Sequence, residues 1–306
     1  MRKAVIDVGS NSVLLVVEEH RDGGWHPVAE ATAVTALGEG TRGTGLLGEP
    51  GMGHTLDALR KFYAKARELG AEEVRAAATM AARIATNTGE FLARAEAQGT
   101  PVEVLIGEEE ADLGFHAVAD DPLFANYPRL SIVDPGGHST ELLTADRTDG
   151  GWDVRFRRSY PIGTLGLKST VLTDESPHTM QILGAIEQID DEVGLVYLPR
   201  QCGHVVVLGA TGTNLVSIRE RMAEWDPDRV HGQWLDYEEV SKAVGWMMPM
   251  TDAQRAAIVG MEPGREKTLP AGALILERFL HCLRALGCSV SVRGWRHALL
   301  ERGPER

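Results

Sequence analysis

A pattern that occurs twice at one fixed offset constrains this chain more than any other feature. Val5-Ile6-Asp7-Val8-Gly9-Ser10-Asn11-Ser12-Val13-Leu14-Leu15 returns as Ile132-Val133-Asp134-Pro135-Gly136-Gly137-His138-Ser139-Thr140-Glu141-Leu142, with Asp7 and Asp134 127 residues apart. The tetrapeptide Asp-Gly-Gly-Trp recurs at Asp22–Trp25 and Asp149–Trp152, again at an offset of 127. Two independent matches at one offset predict a duplicated unit. Each copy reads as an apolar run ending in Asp, a small-residue turn, a second apolar run and a Gly-Gly hairpin turn. Two such units facing each other would place two carboxylates and two phosphate-sized loops on opposite walls of one cleft.

A length of 306 residues suits about two domains, each with its own core. No run of about 18 apolar residues predicts a transmembrane helix, and Asp7 inside the first apolar run argues against a signal peptide. Cys202, Cys282 and Cys288 have no metal-ligand spacing and read as reduced thiols in a cytoplasmic protein. Net charge is −13, from 31 basic and 44 acidic residues, which argues against nucleic acid as the dominant partner. An acidic protein that binds a polyanion needs a local basic patch or a bridging divalent cation.

The first half reads as strands at Ala4–Asp7, Ser12–Glu19 and Trp25–Thr35, then a helix over Thr55–Leu69 ended by Gly70. A strand at Glu73–Ala78, a helix at Thr88–Gln98 ended by Gly99, a strand at Val102–Ile106 and a helix opened by Gly107 follow. That order is the order of a ribonuclease-H-like domain. The second half begins alike, with strands at Leu130–Asp134, Ser139–Ala145 and Trp152–Tyr160. It continues with a helical section over Thr164–Val196, a strand at His204–Leu208, a helix at Leu274–Leu286 ended by Gly287, and a strand at Ser289–Val292. The predicted fold is α/β, two ribonuclease-H-like domains with an interdomain active-site cleft. The junction is placed at Asp120–Pro128, giving domains 1–125 and 126–306, with the last segment free to pack back on the first domain.

Four constellations carry the chemistry. In the twin Asp-x-Gly-x-x-Ser turns, Gly9, Gly136 and Gly137 let backbone approach a ligand, and consecutive N–H groups form an anion cradle. Ser12 and Ser139 add hydroxyl donors, and Asp7 and Asp134, at strand ends, can hold a divalent cation. A pair of Asx-turns closing hairpins is the plainer account of either copy alone. Glu141 replaces the apolar Leu14 of the first copy and shares a strand face with Ser139. Glu108-Glu109-Glu110 opens a helix, where acids favour the dipole, and a carboxylate there can also orient an attacking water. Gly209-Ala210-Thr211-Gly212-Thr213 follows a buried-type strand, either as a phosphate cradle or as an ordinary cap. Arg83, an ordinary surface arginine by default, lies just past a predicted strand end on the cleft side.

Together these residues resemble the exopolyphosphatase/guanosine pentaphosphate phosphatase (Ppx/GppA) family of the actin-like ATPase superfamily, over nearly the whole chain. Asp7 through Ser12 resembles its first phosphate loop, and Leu37-Gly38-Glu39-Gly40 with Thr44-Gly45 the loop that follows. Ala78-Thr79 through Arg83 and Asn87 resembles its Ala-Thr-x-x-x-Arg-x-x-x-Asn segment. Val104-Leu105-Ile106-Gly107-Glu108-Glu109-Glu110-Ala111 is similar to its Ile-x-Gly-x-Glu-Glu-Ala segment, so Glu110 takes the place of the catalytic glutamate. Asp134 through Glu141 resembles its Asp-Ile-Gly-Gly-Gly-Ser-Thr-Glu. Pro161-Ile162-Gly163, Gly209 through Thr213 and Ser291-x-x-Gly294-Trp295-Arg296 match later landmarks. His138 stands where the family has a third glycine, Pro135 where it has isoleucine, and Gly166 where it has arginine, with Lys168 nearby.

The resemblance implies a magnesium-dependent hydrolase, with manganese as an alternative metal, acting on polyphosphate or guanosine pentaphosphate. Glu110, Asp134 and Glu141 would be catalytic, and Asp7, Asp134 and Glu141 would hold the metal. Gly9, Ser10, Asn11, Ser12, Arg83, Gly136, Gly137, His138, Ser139, Gly209, Thr211 and Gly212 would bind phosphate. The expected protein is cytoplasmic, without membrane or nucleic-acid partners, and a homodimer is compatible with it. Ending at 306, the chain resembles the short two-domain members, and short polyphosphate is the expected chain length. A non-hydrolytic alarmone- or polyphosphate-binding regulator, favoured by His138, and a small-molecule kinase of the same superfamily are the competing readings.

Overall fold

The structure, a computed structural model, describes residues 1–194 and 202–302. In chain order its elements are β1 (Arg2–Val8), β2 (Ser12–Arg21), β3 (Gly24–Val34), α1 (Thr41–Thr44), α2 (Glu49–Glu68), β4 (Glu73–Ala78), α3 (Met80–Ile84), α4 (Thr88–Ala97), β5 (Glu103–Val104) and α5 (Gly107–Ala119). There follow β6 (Arg129–Pro135), β7 (Thr140–Thr148), β8 (Gly151–Tyr160), α6 (Thr164–Thr170), α7 (Thr179–Val193), β9 (His204–Val207), α8 (Gly209–Arg219) and α9 (Pro227–Val230). The last are β10 (Trp234–Asp236), α10 (Tyr237–Met247), α11 (Asp252–Ala256), α12 (Leu269–Leu283), β11 (Gly287–Val290) and α13 (Trp295–Arg302). Two compact units result: Met1–Leu113 with the segment from Trp295 onward, and Gly114–Gly294. The division therefore falls inside α5 and again before α13, not at 125/126. No helix among the described residues is long and apolar enough to cross a membrane.

The first unit is built on a five-stranded sheet of order β3-β2-β1-β4-β5. Alternation along β1 and β2 sends Ala4, Ile6, Val8 and Leu15 to one face, against Leu59 and Phe62 of α2 and Phe91 of α4. Val5 and Val16 point to the other face, where Trp295, Leu299 and Leu300 of α13 cover them with Ala77 and Leu105. Helix α2 starts six residues before the predicted Thr55, because Pro50 in its first turn and Glu49 beside it make a helix start without apolar spacing. Gly70 (φ +79°) and Gly99 (φ +77°) follow the helices they were expected to end. Only Glu103–Val104 of the predicted Val102–Ile106 strand pairs, with Ala77 and Ala78.

The second unit holds a six-stranded sheet of order β10-β11-β9-β6-β7-β8. The predicted Thr164–Val196 helix is two helices, α6 and α7, with α7 closed by Gly194 at φ +68°; Tyr197 onward to Gln201, with 195 and 196, lies outside the described residues. Helix α12 runs Leu269–Leu283, starting earlier than the predicted Leu274, and Arg284 in the left-handed region (φ +52°) caps it. Gly287, the predicted helix stop, is the first residue of β11, where a Cβ would run into the Leu235 carbonyl of β10. Among the three cysteines, Cys288 is buried and its thiol pushed up by that burial, which suits a core residue.

The duplication is written in the hydrogen bonds. Asp7 pairs with Leu14 across β1 and β2, and Asp134 with Glu141 across β6 and β7. The register slips at Val17/Glu18 in one copy and at Thr144/Ala145 in the other, again 127 residues apart. Gly9 N donates to Ser12 O at 2.9 Å, and Gly136 N to Ser139 O at 2.8 Å. The Asp-Gly-Gly-Trp turns differ in detail. Asp22 (φ +53°) and Gly23 (φ +81°) are both left-handed, as a type I′ turn requires, whereas in the second copy Gly151 takes the positive φ, +127°.

Candidate active site

In the first unit, Asp7 ends the apolar run of β1 and is buried, and the loop after it is held from one side. Gly38 N donates to Ser10 O at 2.8 Å, and Thr35 N and Ala36 N donate to Asn11 O at 3.0 and 2.9 Å. In a trans peptide the C=O and the next N–H point opposite ways. The amides of Asn11 and Ser12 are therefore turned away from the 35–38 segment. Ser10 Oγ accepts from Ala81 N at 3.2 Å, tying the loop to α3. The Asn11 side chain is buried, and its Nδ2 makes no hydrogen bond among the described residues. A buried amide donor without an acceptor is costly unless a ligand oxygen meets it.

The second loop is built the same way. Leu165 N donates to Gly137 O at 2.8 Å, 127 residues on from the Gly38–Ser10 bond, and Thr164 N donates to Gly136 O at 3.0 Å. The amides of Gly137 and His138 are thus turned away from the start of α6. Gly163 makes this possible: a Cβ there would run into His138 N and the Gly137 carbonyl. Thr140 Oγ1 also donates to Ile162 O at 2.7 Å. Pro161-Ile162-Gly163 is therefore a buttress for this second loop. His138 itself is buried, as is Ser139. Lys168, near the family's missing arginine, donates to the Asp174 carbonyl at 3.0 Å.

Asp134 and Glu141 stand directly opposite each other on one sheet face. Ser159, their neighbour on β8, donates its hydroxyl to Glu141 Oε1 at 2.8 Å. Ser159 was not among the expected site residues; the repeat pairs it with Thr32, and a conserved hydroxyl carries little signal. Gly209, at φ +74°, brings the start of α8 against the Asp134 carboxylate, and a Cβ there would sit 3.0 Å from Asp134 Oδ1. Thr211 and Gly212 are placed differently from Gly209. A Cβ on Gly212 would lie 2.5 Å from Val207, and Thr211 Oγ1 packs against Gly272 of α12.

Arg83 and Glu110 come together in the first unit. Arg83 Nη1 donates to Glu110 Oε2 at 2.7 Å and to the Leu105 carbonyl at 2.9 Å. Burial pushes the Glu110 carboxyl above the ordinary glutamate range, and the Arg83 charge and hydrogen bond pull against it without cancelling it. Asn87 acts locally: its side chain bonds both backbone groups of Leu47, at 2.8 and 3.0 Å.

Among the described residues no three or more His, Cys, Asp or Glu side chains form a metal-ready cluster. Two carboxylates suffice for magnesium, which keeps waters and takes phosphate oxygens as further ligands. Asp134 and Glu141 fit that demand, because like charges directly opposite in a ladder repel unless a cation is shared.

Residues 16–302 match the Ppx/GppA phosphatase family. The chain belongs to this family. Exopolyphosphatase 2 of Mycobacterium tuberculosis is 29% identical over 296 residues, 92% of this chain and 91% of the relative. Guanosine-5'-triphosphate,3'-diphosphate pyrophosphatase of Vibrio cholerae is 28% identical over 277 residues, 89% of this chain and 53% of the relative, so the chain spans about half its length. The Aquifex aeolicus family member has a crystal structure that superposes with a TM-score of 0.79 at 30% identity, covering 100% of this chain and 99% of that one. The expected two-domain actin-like α/β fold is the fold observed.

Proposed function

We propose that this protein hydrolyses the terminal phosphoanhydride of inorganic polyphosphate, guanosine pentaphosphate or both. The observation that carries the reading is the buried Glu110–Arg83 pair. A carboxylate whose pKa is raised by burial, and which is aimed by one guanidinium, is suited to accept a proton from water. Glu110 orients water and takes its proton as the water oxygen bonds the terminal phosphorus. The bridging P–O bond then breaks and its electrons leave with the shortened chain.

Around that step the chain supplies position and charge. Outward amides of Asn11, Ser12, Gly137 and His138, the Asn11 Nδ2 and the amide end of α8 at Gly209 bind phosphate oxygens. Asp134 and Glu141 would hold magnesium, with Asp7 as a further candidate carboxylate. The cation supplies neutralisation of the charge that builds on the phosphoryl oxygens. Ser159 fixes the rotamer of Glu141.

The test is phosphate release with magnesium from tripolyphosphate, long polyphosphate and guanosine pentaphosphate, beside Glu110→Gln. Release should fall by ~10²–10⁴ in the variant. No release from any of the three by the wild-type protein, with ligand still bound, would replace the hydrolase by a binding regulator.

A further inference from the structure

The last helix has a connection that its role as core cover does not use. On the sheet face of the first unit that carries Val5 and Val16, Trp295, Leu299 and Leu300 of α13 form one buried cluster with Ala77 and Leu105, and Leu113 of α5 packs against it. Leu105 and Leu113 both belong to the segment that holds the Arg83–Glu110 pair. Leu105 lies between β5 and α5. Its N–H donates to the Ala78 carbonyl at 2.9 Å, its side chain is buried in the α13 cluster, and its carbonyl accepts from Arg83 Nη1 at 2.9 Å. Leu113 stands three residues beyond Glu110, a neighbour on the same side of α5.

We propose that α13 positions the Arg83–Glu110 pair, with Trp295 and Leu299 as positioning residues that act through Leu105 and Leu113. The inference rests on the reading of Glu110 as the base and adds what holds that base in place. Arg83 Nη1 divides its donors between the Leu105 carbonyl and Glu110 Oε2, the latter at 2.7 Å. A shift of Leu105 therefore moves the guanidinium relative to the carboxylate. The Glu110 N–H donates to the Ile106 carbonyl at 3.1 Å, so the helix turn that carries the carboxylate hangs from the same short segment. A packed interior transmits such shifts because it has little free volume to absorb them.

The duplication separates this role from simple cover. At the 127-residue offset, Val5 and Val16 correspond to Ile132 and Leu143 of the second unit. There Phe115, Val118 and Ala119 of α5 share their cluster. A helix over this sheet face thus belongs to both copies and answers the need to bury apolar side chains. The first unit adds Leu105 and Leu113 to the covered cluster, and these two flank Glu110 in the chain. Apolar cover alone does not require that the residue under α13 hold Arg83 by its carbonyl.

The test compares wild-type protein, Leu299→Ala, the milder Leu299→Val, and Leu59→Ala, which opens a cavity on the opposite face of the same sheet. Glu110 ionisation is read by carbon NMR of protein labelled at the glutamate carboxyl carbons, with the Glu110 signal assigned by its absence in Glu110→Gln. Kinetics on tripolyphosphate with magnesium and urea unfolding are measured beside it. Leu299→Ala should move the Glu110 titration to higher pH, since a displaced Arg83 lowers it less. At neutral pH kcat should fall roughly tenfold with KM within about twofold of wild type. Leu299→Val should show the same changes in smaller measure. Leu59→Ala should lose stability and leave both the Glu110 titration and kcat in place. In an Arg83→Gln background, Leu299→Ala should shift the titration less than it does alone, because the two act on one contact. An unmoved titration in both Leu299 variants, an equal shift in Leu59→Ala, or an undiminished shift in the Arg83→Gln background would overturn the positioning role. Absence of turnover in the wild-type protein would overturn the hydrolase alone, since the NMR arm reads the pair without turnover.

Discussion

Arg83 and Glu110 form a buried ion pair in which one guanidinium nitrogen bridges Glu110 Oε2 at 2.7 Å and the Leu105 carbonyl at 2.9 Å. Burial raises the Glu110 pKa and Arg83 lowers it. On the proposed mechanism activity needs the ionised carboxylate, so it should rise with pH through that pKa. Arg83→Gln removes the lowering influence, and the ascending limb of kcat/KM should move to higher pH. At neutral pH activity should drop roughly tenfold or more. A limb that stays in place in the variant would mean that Glu110 is not the titrating base.

Glu141→Leu restores the residue of the first copy, which already packs at the same register position opposite Asp7. The fold should therefore survive, as thermal unfolding would report. Loss of one of two carboxylates should raise the magnesium concentration for half-maximal activity and cut kcat by ~10². Unchanged metal dependence would remove Glu141 from the metal set.

Gly163→Ala should harm the site more than the core. The added Cβ meets backbone of Gly137 and His138, which cannot rotate away. A shift of the loop by even ~1 Å can cost about 10² in rate, with ~1–3 kcal/mol of stability from overpacking. Gly53→Ala in α2 is the contrast. Its Cβ meets nothing within 4 Å, so it should add up to ~1 kcal/mol from helix propensity. Kinetics and chemical denaturation of the two variants check this directly.

Asp121 accepts from His231 at 3.1 Å and from the Leu123 amide at 2.9 Å, with Arg293 at 3.8 Å. Burial raises its pKa, but these partners outweigh burial and the net shift is downward. A lowered carboxylate stabilises the fold above its unfolded pKa of about 3.9, and that contribution fades as pH falls through the folded value. Asp121→Asn should cost ~1–2 kcal/mol at pH 7, and the gap should narrow in acid. Urea unfolding of both proteins at pH 7 and near pH 3 measures it.

Elements carried by local pattern were readable. Alternation gave β1, β2, β6 and β7 within one to three residues of their observed ends. The start of α2 was not, because Glu49 and Pro50 begin the helix without apolar spacing, and the close approach of Gly51 to the Ala36 carbonyl, 2.8 Å from a Cβ, belongs to packing. β10 is three residues long and exists only because β11 lies beside it. Of the site, Asp134 and Glu141 were legible through the repeat, and Glu110 and Arg83 through the family resemblance. Ser159 and the buttressing role of Gly163 were not legible, since each acts through a partner distant in sequence.

The sequence by itself determined the duplication, the two acid-bearing loops and the family, because these rest on residue identity at fixed covalent spacing. Tertiary structure alone decided which carboxylates meet. It paired Glu110 with Arg83 across 27 residues, and faced Asp134 with Glu141. It also brought α13 from the end of the chain onto β1, as the cover for a face the first unit could not otherwise bury. Such pairings depend on through-space distance and on competition for buried surface, which a one-dimensional pattern does not encode.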